Sequence, residues 1–382
     1  MNKLLVGVMT LTLGTISARA QNPDDRNIQI HGFATQAFIA GSNNNYLGMD
    51  TRTGSPAWTE AAVNVNDRVS SKLRVGIQLH YMRLGAFGGD NASVDWALGD
   101  YEVNQWVKVR AGKLKIRWGL YNDVQDYDPG YLWSLLPESI YGVDIRATNL
   151  SQLGVELNGK LPLASKWGRL TYSAYYGYYY YASDDGYREI MKQSGMVFSK
   201  MPGGKTPGLD LRWATPVRGL KVGGSLMIYN ANGNMVDGNY TAPYAYWPAG
   251  YAEYEYKKFF SSYQYAKLVS YQTATITGSA PVTTGSDARQ WFAMGGYHLT
   301  DKFQAGAYYA KYTVPSAGDN TDPANYYKDW VVSGRYDCNA YFYGKIEGHF
   351  IDGNALGFYA LNNPNGLTPK TNLLVAKVGF TF

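Results

Sequence analysis

Residues 374–382 read Leu374-Val375-Ala376-Lys377-Val378-Gly379-Phe380-Thr381-Phe382, and the chain stops on that last aromatic. Leu374, Ala376, Val378, Phe380 and Phe382 take every second place. A period of two is that of a β-strand with one apolar face, because successive side chains leave a strand on opposite sides. Val375, Lys377, Gly379 and Thr381 fall on the other face.

The same rhythm recurs along the chain. Leu73, Val75, Ile77, Leu79 and Tyr81 share a face, as do Leu153, Val155 and Leu157, then Leu220, Val222, Leu226 and Ile228, then Phe303, Ala305, Ala307 and Tyr309. Short turns fall near residues 66–68, 102–104, 160–166, 216–219, 257–258, 300–302 and 337–339. Long stretches rich in Gly, Asn, Asp and Pro centre on 40–57, 83–93, 117–146, 182–207, 230–248, 271–287, 314–327 and 352–371. Seven turns and eight loops join sixteen strands and leave both chain ends on the turn side. The expected fold class is all-β, a transmembrane antiparallel β-barrel of about 16 strands. Strands of ~10 residues with alternating short and long links match such barrels.

Composition agrees. No apolar run reaches the ~18 residues a membrane helix needs. The chain nonetheless holds 35 tyrosines and 43 glycines, and 15% of it is aromatic. A barrel hides its apolar surface from hydropathy, since polar lumen residues alternate with lipid-facing ones, and its interfacial girdles use Tyr and Trp. At the N-terminus Lys3, the apolar run Leu4 to Ile16 and Ala18-Arg19-Ala20 form a secretory signal peptide over 1–20. Residues 21–382 are then one barrel domain. Cys338 is the sole cysteine, which excludes an internal disulfide and a lipid-anchored mature N-terminus. The net charge of +5, without a basic run, a zinc-ligand spacing or a phosphate-cradling loop, points to no nucleic acid, no metal and no cofactor.

The strongest local signal is 106–123. Lys108 and Arg110 share one parity, and Lys113, Lys115 and Arg117 share the other, with a switch at Ala111-Gly112. A β-bulge at that glycine would aim all five into the lumen. Charge facing lipid at mid-depth costs about 2–4 kcal/mol. Lys72 and Arg74 also alternate with apolar residues and extend the basic stripe. Such a stripe concentrates anions. The stretch 118–146 holds Asp123, Asp126, Asp128, Glu138 and Asp144, with an apolar segment around Trp133, Leu135 and Leu136. Loops this long usually carry function.

Ala111-Gly112-Lys113-Leu114-Lys115, followed by Gly119-Leu120-Tyr121-Asn122-Asp123, resembles the signature of the phosphate-selective porin-like channels. Arg117 departs from it, standing where that family has proline. The closing strand with its terminal Phe382 resembles the end of Gram-negative outer-membrane barrels, where that residue is the insertion signal read by the barrel-assembly machinery. The resemblance implies a cell outer membrane location among lipid and lipopolysaccharide, short periplasmic turns, long extracellular loops and a water-filled homotrimer. It implies passive diffusion of small hydrophilic solutes with a preference for small anions, phosphate-like ones included. Lys113 and Lys115 would lie in the pore. The third long loop would fold inward as the constriction, with Asp123, Asp126, Asp128 and Glu138 across from the lysines.

Two other readings stand beside this one. Tyr175 to Tyr181, with Tyr244, Tyr246, Trp247, Tyr251, Tyr254 and Tyr256, could form an aromatic slide for sugars, although half of any such cluster must face outward as girdle. A barrel enzyme would need His31, His80, His298 or His349 beside a nucleophile, and no such context is visible; catalytic residues: none. Lys345, Glu347 and His349 share a face as lumen charges.

Overall fold

The computed structural model describes residues 28–382 except Asp90, Pro162 and Ala164. The expected signal peptide, 1–20, lies outside the described residues. The chain forms β1 (Gln29–Gly41), β2 (Ser55–Arg68), β3 (Leu73–Leu84), β4 (Ser93–Asn104), β5 (Val107–Lys115), β6 (Ser151–Leu161), β7 (Arg169–Tyr180), β8 (Phe198–Lys205) and β9 (Gly208–Ala214). It continues through β10 (Leu220–Met235), β11 (Gly238–Tyr256), β12 (Phe259–Ile276), β13 (Val282–His298), β14 (Phe303–Thr313), β15 (Tyr326–Asp337), β16 (Phe342–Asp352) and β17 (Lys370–Thr381). Each pairs antiparallel with its neighbours, and β17 closes the ring on β1 from Phe33↔Thr381 to Gly41↔Leu373.

Segments β8 and β9 both lie between β7 and β10, so they are two halves of one strand. Pro207, which has no N–H, separates them, while its carbonyl still accepts from Ile228 N at 2.9 Å. Counted this way the barrel has the sixteen strands expected, and among the described residues every strand has a neighbour on both sides.

Two of the expected loops are strand instead. Residues 230–248 form a hairpin that reverses at Val236-Asp237, and 271–287 form one that reverses at 277–281. Strands β10 to β13 are therefore 16, 19, 18 and 17 residues long, whereas the other unbroken strands run from 9 to 14. Tyrosine and threonine favour the pleated surface. The loop-like Pro243 sits where the β11–β12 register shifts, between Thr241 and Tyr244.

The two wall faces differ in chemistry. On β6, Leu153, Val155 and Leu157 are 62%, 51% and 43% exposed, whereas Gln152, Glu156 and Asn158 between them are buried. On β17 the exposed set is Leu374 and Val378, continued by Phe382 just past its end, and the buried set is Leu373, Val375 and Lys377. The outward face is thus apolar, while the charged and polar side chains point inward, among apolar ones that pack against the crossing loop. An apolar face exposed to the outside is the reverse of a water-soluble sheet and marks a membrane-spanning barrel. Aromatic rings run across the outer wall from strand to strand, with Trp291–Tyr309 centroids 5.3 Å and Tyr309–Trp330 centroids 4.7 Å apart. This is the girdle geometry of membrane interfaces.

Candidate functional site within the barrel

The third long loop, 116–150, leaves the wall after Lys115 and crosses the interior. Trp118 Nε1 donates to the Trp247 carbonyl at 2.6 Å, Gly119 N to Ser225 Oγ at 2.9 Å and Leu120 N to Gln264 Oε1 at 2.9 Å. Gly119 has φ +63°, and a Cβ there would run into Tyr141 and Gln264, so only glycine makes this turn against the wall. Further on, Ser134 N and Leu135 N donate to the two oxygens of Glu347 at 3.0 Å each. Trp133 packs edge-on against Tyr308 at 5.0 Å. Trp118, Leu120, Leu132, Trp133, Ile140 and Tyr141 form one buried cluster with Met227, Trp247, Phe292 and Met294 of the wall. The apolar segment of the loop is thus its anchor on the inner face.

Asp128 is held by three wall side chains. Lys377 Nζ donates to Oδ1 at 2.8 Å, Lys345 Nζ to Oδ2 at 3.0 Å and Tyr343 Oη to Oδ2 at 2.7 Å. The same ammoniums also cap the Trp133 and Ser134 carbonyls at 2.9 Å. Burial alone would push the Asp128 carboxyl up, but Lys345 and Lys377 outweigh it and hold the group well below the usual carboxylate range. Glu138 behaves in the opposite way. Burial, reinforced by neighbouring Asp144, raises it well above the usual range, and its oxygens accept from Val143 N at 3.2 and 3.3 Å.

The expected basic residues have these surroundings. Lys72 is exposed in the 69–72 turn. Arg74 lies opposite Asp100. Lys108 pairs with Glu102 at 2.9 Å. Arg110 reaches Asp100 at 3.0 Å and Glu156 at 3.5 Å. Lys115 meets Asp126 at 2.6 Å, and Arg117 meets Asp123 at 3.4 Å and Glu156 at 3.7 Å. Lys113 stands apart: it lies opposite outward-facing Leu153, and its ammonium donates to the Val94 carbonyl.

The pairing of β5 runs through Gly112 without a register shift, so the bulge expected there is absent. The shift falls on β4, where Asp95 is the extra residue between Trp96 and Val94. Asp95 turns inward and takes the buried Arg146 of the loop at 2.5 Å. Gly112, at φ +129°, serves instead for close backbone approach, since a Cβ would strike the Ala97 carbonyl.

Asp123 and Asp126 therefore face the basic wall. Asp128 instead faces β16 and β17, beside the β1–β17 seam, and Glu138 is enclosed within the loop. Sequence reasoning missed the clamp of Lys345 and Lys377 because its partner is 217 and 249 positions away. The alternation that puts Lys345 and Lys377 on inward faces was the only available signal.

Two cavities lie beneath the loop, toward the short-turn end. One, about 330 Å³, is bordered by Arg74, Arg110, Lys115 and Arg117 together with Asp100, Asp123 and Glu156. Four cations thus meet three carboxylates across a space also lined by Trp96 and Leu98. The other, about 380 Å³, lies against β10 to β15 and is richer in aromatic rings.

The tyrosine clusters split by parity. Tyr176, Tyr178, Tyr180, Tyr244 and Tyr246 point outward, while Tyr175, Tyr179, Tyr181 and Tyr251 are buried inside. His349 lies between Asp329 at 2.8 Å and Glu347 at 3.0 Å, and His80 contacts Glu60 at 2.8 Å. Among the described residues no serine, threonine or cysteine side chain is hydrogen-bonded to a histidine.

No protein-family model and no curated protein matches the sequence. Solved structures do. OmpF of Salmonella typhi in complex with daunomycin shares 12% identity at a TM-score of 0.61, covering 95% of this chain and 99% of that one. The trimer form of OmpT, an outer membrane protein of Vibrio cholerae, shares 12% at 0.59 and covers 94% and 100%. An anion-selective porin from Comamonas acidovorans shares 10% at 0.56 and covers 94% and 100%. The fold is that of outer-membrane porins.

Proposed function

We propose that this protein is an outer-membrane porin giving passive diffusion to small hydrophilic solutes, with a weak preference for anions. One observation carries the reading: a closed sixteen-stranded barrel, apolar outside and with its buried charges inside, is crossed by an inward-folded loop that leaves a charged cavity beside it. In that cavity cations exceed carboxylates by one. The imbalance is small because Arg110, Lys115 and Arg117 each have an acid within 4 Å. Selectivity should therefore be modest, and phosphate need not be singled out. The likeness to an anion-selective porin and to a trimeric outer membrane protein supports the same choice and a homotrimer. Phe382 serves in this reading as the insertion signal for the barrel-assembly machinery. The inward tyrosines are packed away from solvent, which favours simple diffusion over an aromatic slide. His80 and His349, held by carboxylates and Arg146, favour a non-enzymatic barrel.

Reversal potentials in a planar bilayer under a salt gradient test this. Open channels with an anion-to-cation permeability ratio above one at low salt are expected. The ratio should fall toward one as screening shortens the reach of each charge from a Debye length of about 10 Å at 0.1 M to about 3 Å at 1 M. A barrel that passes no current would overturn the porin reading. A cation preference at low salt would overturn the anion part alone.

A further inference from the structure

The second cavity has a different chemistry from the charged one. Its wall carries Tyr121 and Tyr131 of the crossing loop, Phe260 and Met294 of the barrel, and the carboxylates of Glu253 and Glu255. Tyr121 and Tyr131 meet edge to face at 5.7 Å. Their hydroxyls are already engaged, Tyr121 with Ser262 at 2.7 Å and Tyr131 with the Val124 carbonyl at 2.9 Å. What these rings offer a guest is therefore π surface rather than hydrogen bonds. Both tyrosines and Phe260 are only half-buried. The lining holds two carboxylates, Glu253 and Glu255, and two cations, Lys221 and Arg335, but the cations do not neutralise the carboxylates closely. Glu255 has no cation within 4 Å among the described residues, and Glu253 has only Lys221, 3.9 Å away and itself 58% exposed. Arg335, the other cation at the rim, is tied to Asp337 at 2.8 Å and to the Pro129 and Tyr131 carbonyls at 2.5 and 2.8 Å.

We propose that this chamber binds a small organic cation with an aromatic or apolar body, its ammonium beside Glu253 and Glu255 and its body against Tyr121, Tyr131 and Phe260. Carboxylates attract the charge, and the negative faces of aromatic rings add to that attraction while excluding water from the body. A sugar fits less well, because the hydroxyl donors and acceptors it needs are already used. An anion is repelled. The inference rests on the porin reading only for the access of water to the chamber from the short-turn mouth.

The test is calorimetric titration of the detergent-solubilised full chain at fixed ionic strength. Phenyltrimethylammonium is the probe, with tetramethylammonium and benzenesulfonate as comparisons. Phenyltrimethylammonium should bind with one site per chain, tetramethylammonium more weakly and benzenesulfonate not at all. Glu253→Gln with Glu255→Gln should weaken binding roughly tenfold, the scale of a lost charge-assisted contact. Phe260→Ala should weaken phenyltrimethylammonium more than tetramethylammonium. Lys221→Gln should tighten binding, a gain that misfolding cannot imitate. Binding of benzenesulfonate with equal strength, or indifference to the double glutamine variant, would overturn the proposal. Binding without conductance in the bilayer would defeat the porin reading and leave this one standing. Conductance without binding would do the reverse.

Discussion

At the scale of single residues, Asp128 has the largest predicted effect. Its carboxylate balances two ammoniums that are themselves buried, and removing one partner of such a group leaves uncompensated charge. Asp128→Asn should destabilise the protein by about 3–5 kcal/mol, read as a lower urea midpoint in tryptophan fluorescence. Adding Lys345→Met and Lys377→Met should recover most of the loss, because the stranded charges are then gone. A single variant as stable as the native chain would show that water already compensates the lysines. The sign with pH follows from the depressed carboxyl. Its stabilisation is present above the unfolded value of about 3.9 and is lost only as pH falls through the lower folded value, so the clamp should persist in mild acid.

Among the elements, the loop over 181–197 behaves oppositely. Its helix α1 (Gly186–Gln193) starts from Asp185, whose carboxylate accepts from Tyr187 N at 3.0 Å and from Thr148 N at 3.2 Å. Burial outweighs these bonds and raises the carboxyl to about 7. A raised acid binds a proton in the folded state between the unfolded value of about 3.9 and about 7, so its stability contribution declines as pH rises through that window. Amides of 186–193 should exchange more slowly at pH 5 than at pH 8 after correction for intrinsic rates. Asp185→Asn, which keeps a good N-cap, should abolish the difference. Equal protection at both pH values in the native chain would refute this. The crossing loop makes a second prediction at this scale. Deleting 126–140 removes the Asp128 clamp and the Trp133 anchor together, and single-channel conductance should rise clearly. Unchanged conductance would show that the current avoids this loop.

For the whole molecule, permeation depends on how many charges act within one screening length. Arg74→Glu with Arg117→Glu shifts the charge of the 330 Å³ cavity by four units, from one cation in excess to three carboxylates in excess. Reversal potentials at 0.1 M salt should then move to cation preference and should converge with the native values near 1 M. A native-like anion preference in that variant would place the selective charges elsewhere. The seam between β1 and β17 also belongs to this scale. Gly32 and Phe382 exchange two backbone hydrogen bonds, at 3.0 and 3.1 Å, and the Phe382 ring lies against Gly32. The last residue is thus a structural part of barrel closure.

Alternation alone made the wall legible: Leu374 and Val378 face out, Val375 and Lys377 face in, and the count of turns and loops yields sixteen strands. That information is local, because a strand's two faces follow from a repeat of two. It failed where glycine and proline imitate loops, at 230–248, since a register shift can absorb Pro243 inside a long strand. The basic stretch was readable as charge, but its pairing was not. Arg110 with Glu156 arises from the register of β5 on β6, and Lys115 with Asp126 and Asp128 with Lys345 and Lys377 arise from a loop folded across the lumen. These partners lie up to 249 positions apart, and no local pattern encodes which charges meet at that range. The chain by itself therefore determined a membrane barrel with a charged interior. Only the tertiary structure decided that most of those charges are neutralised in pairs, and that the crossing loop leaves two chambers of different chemistry.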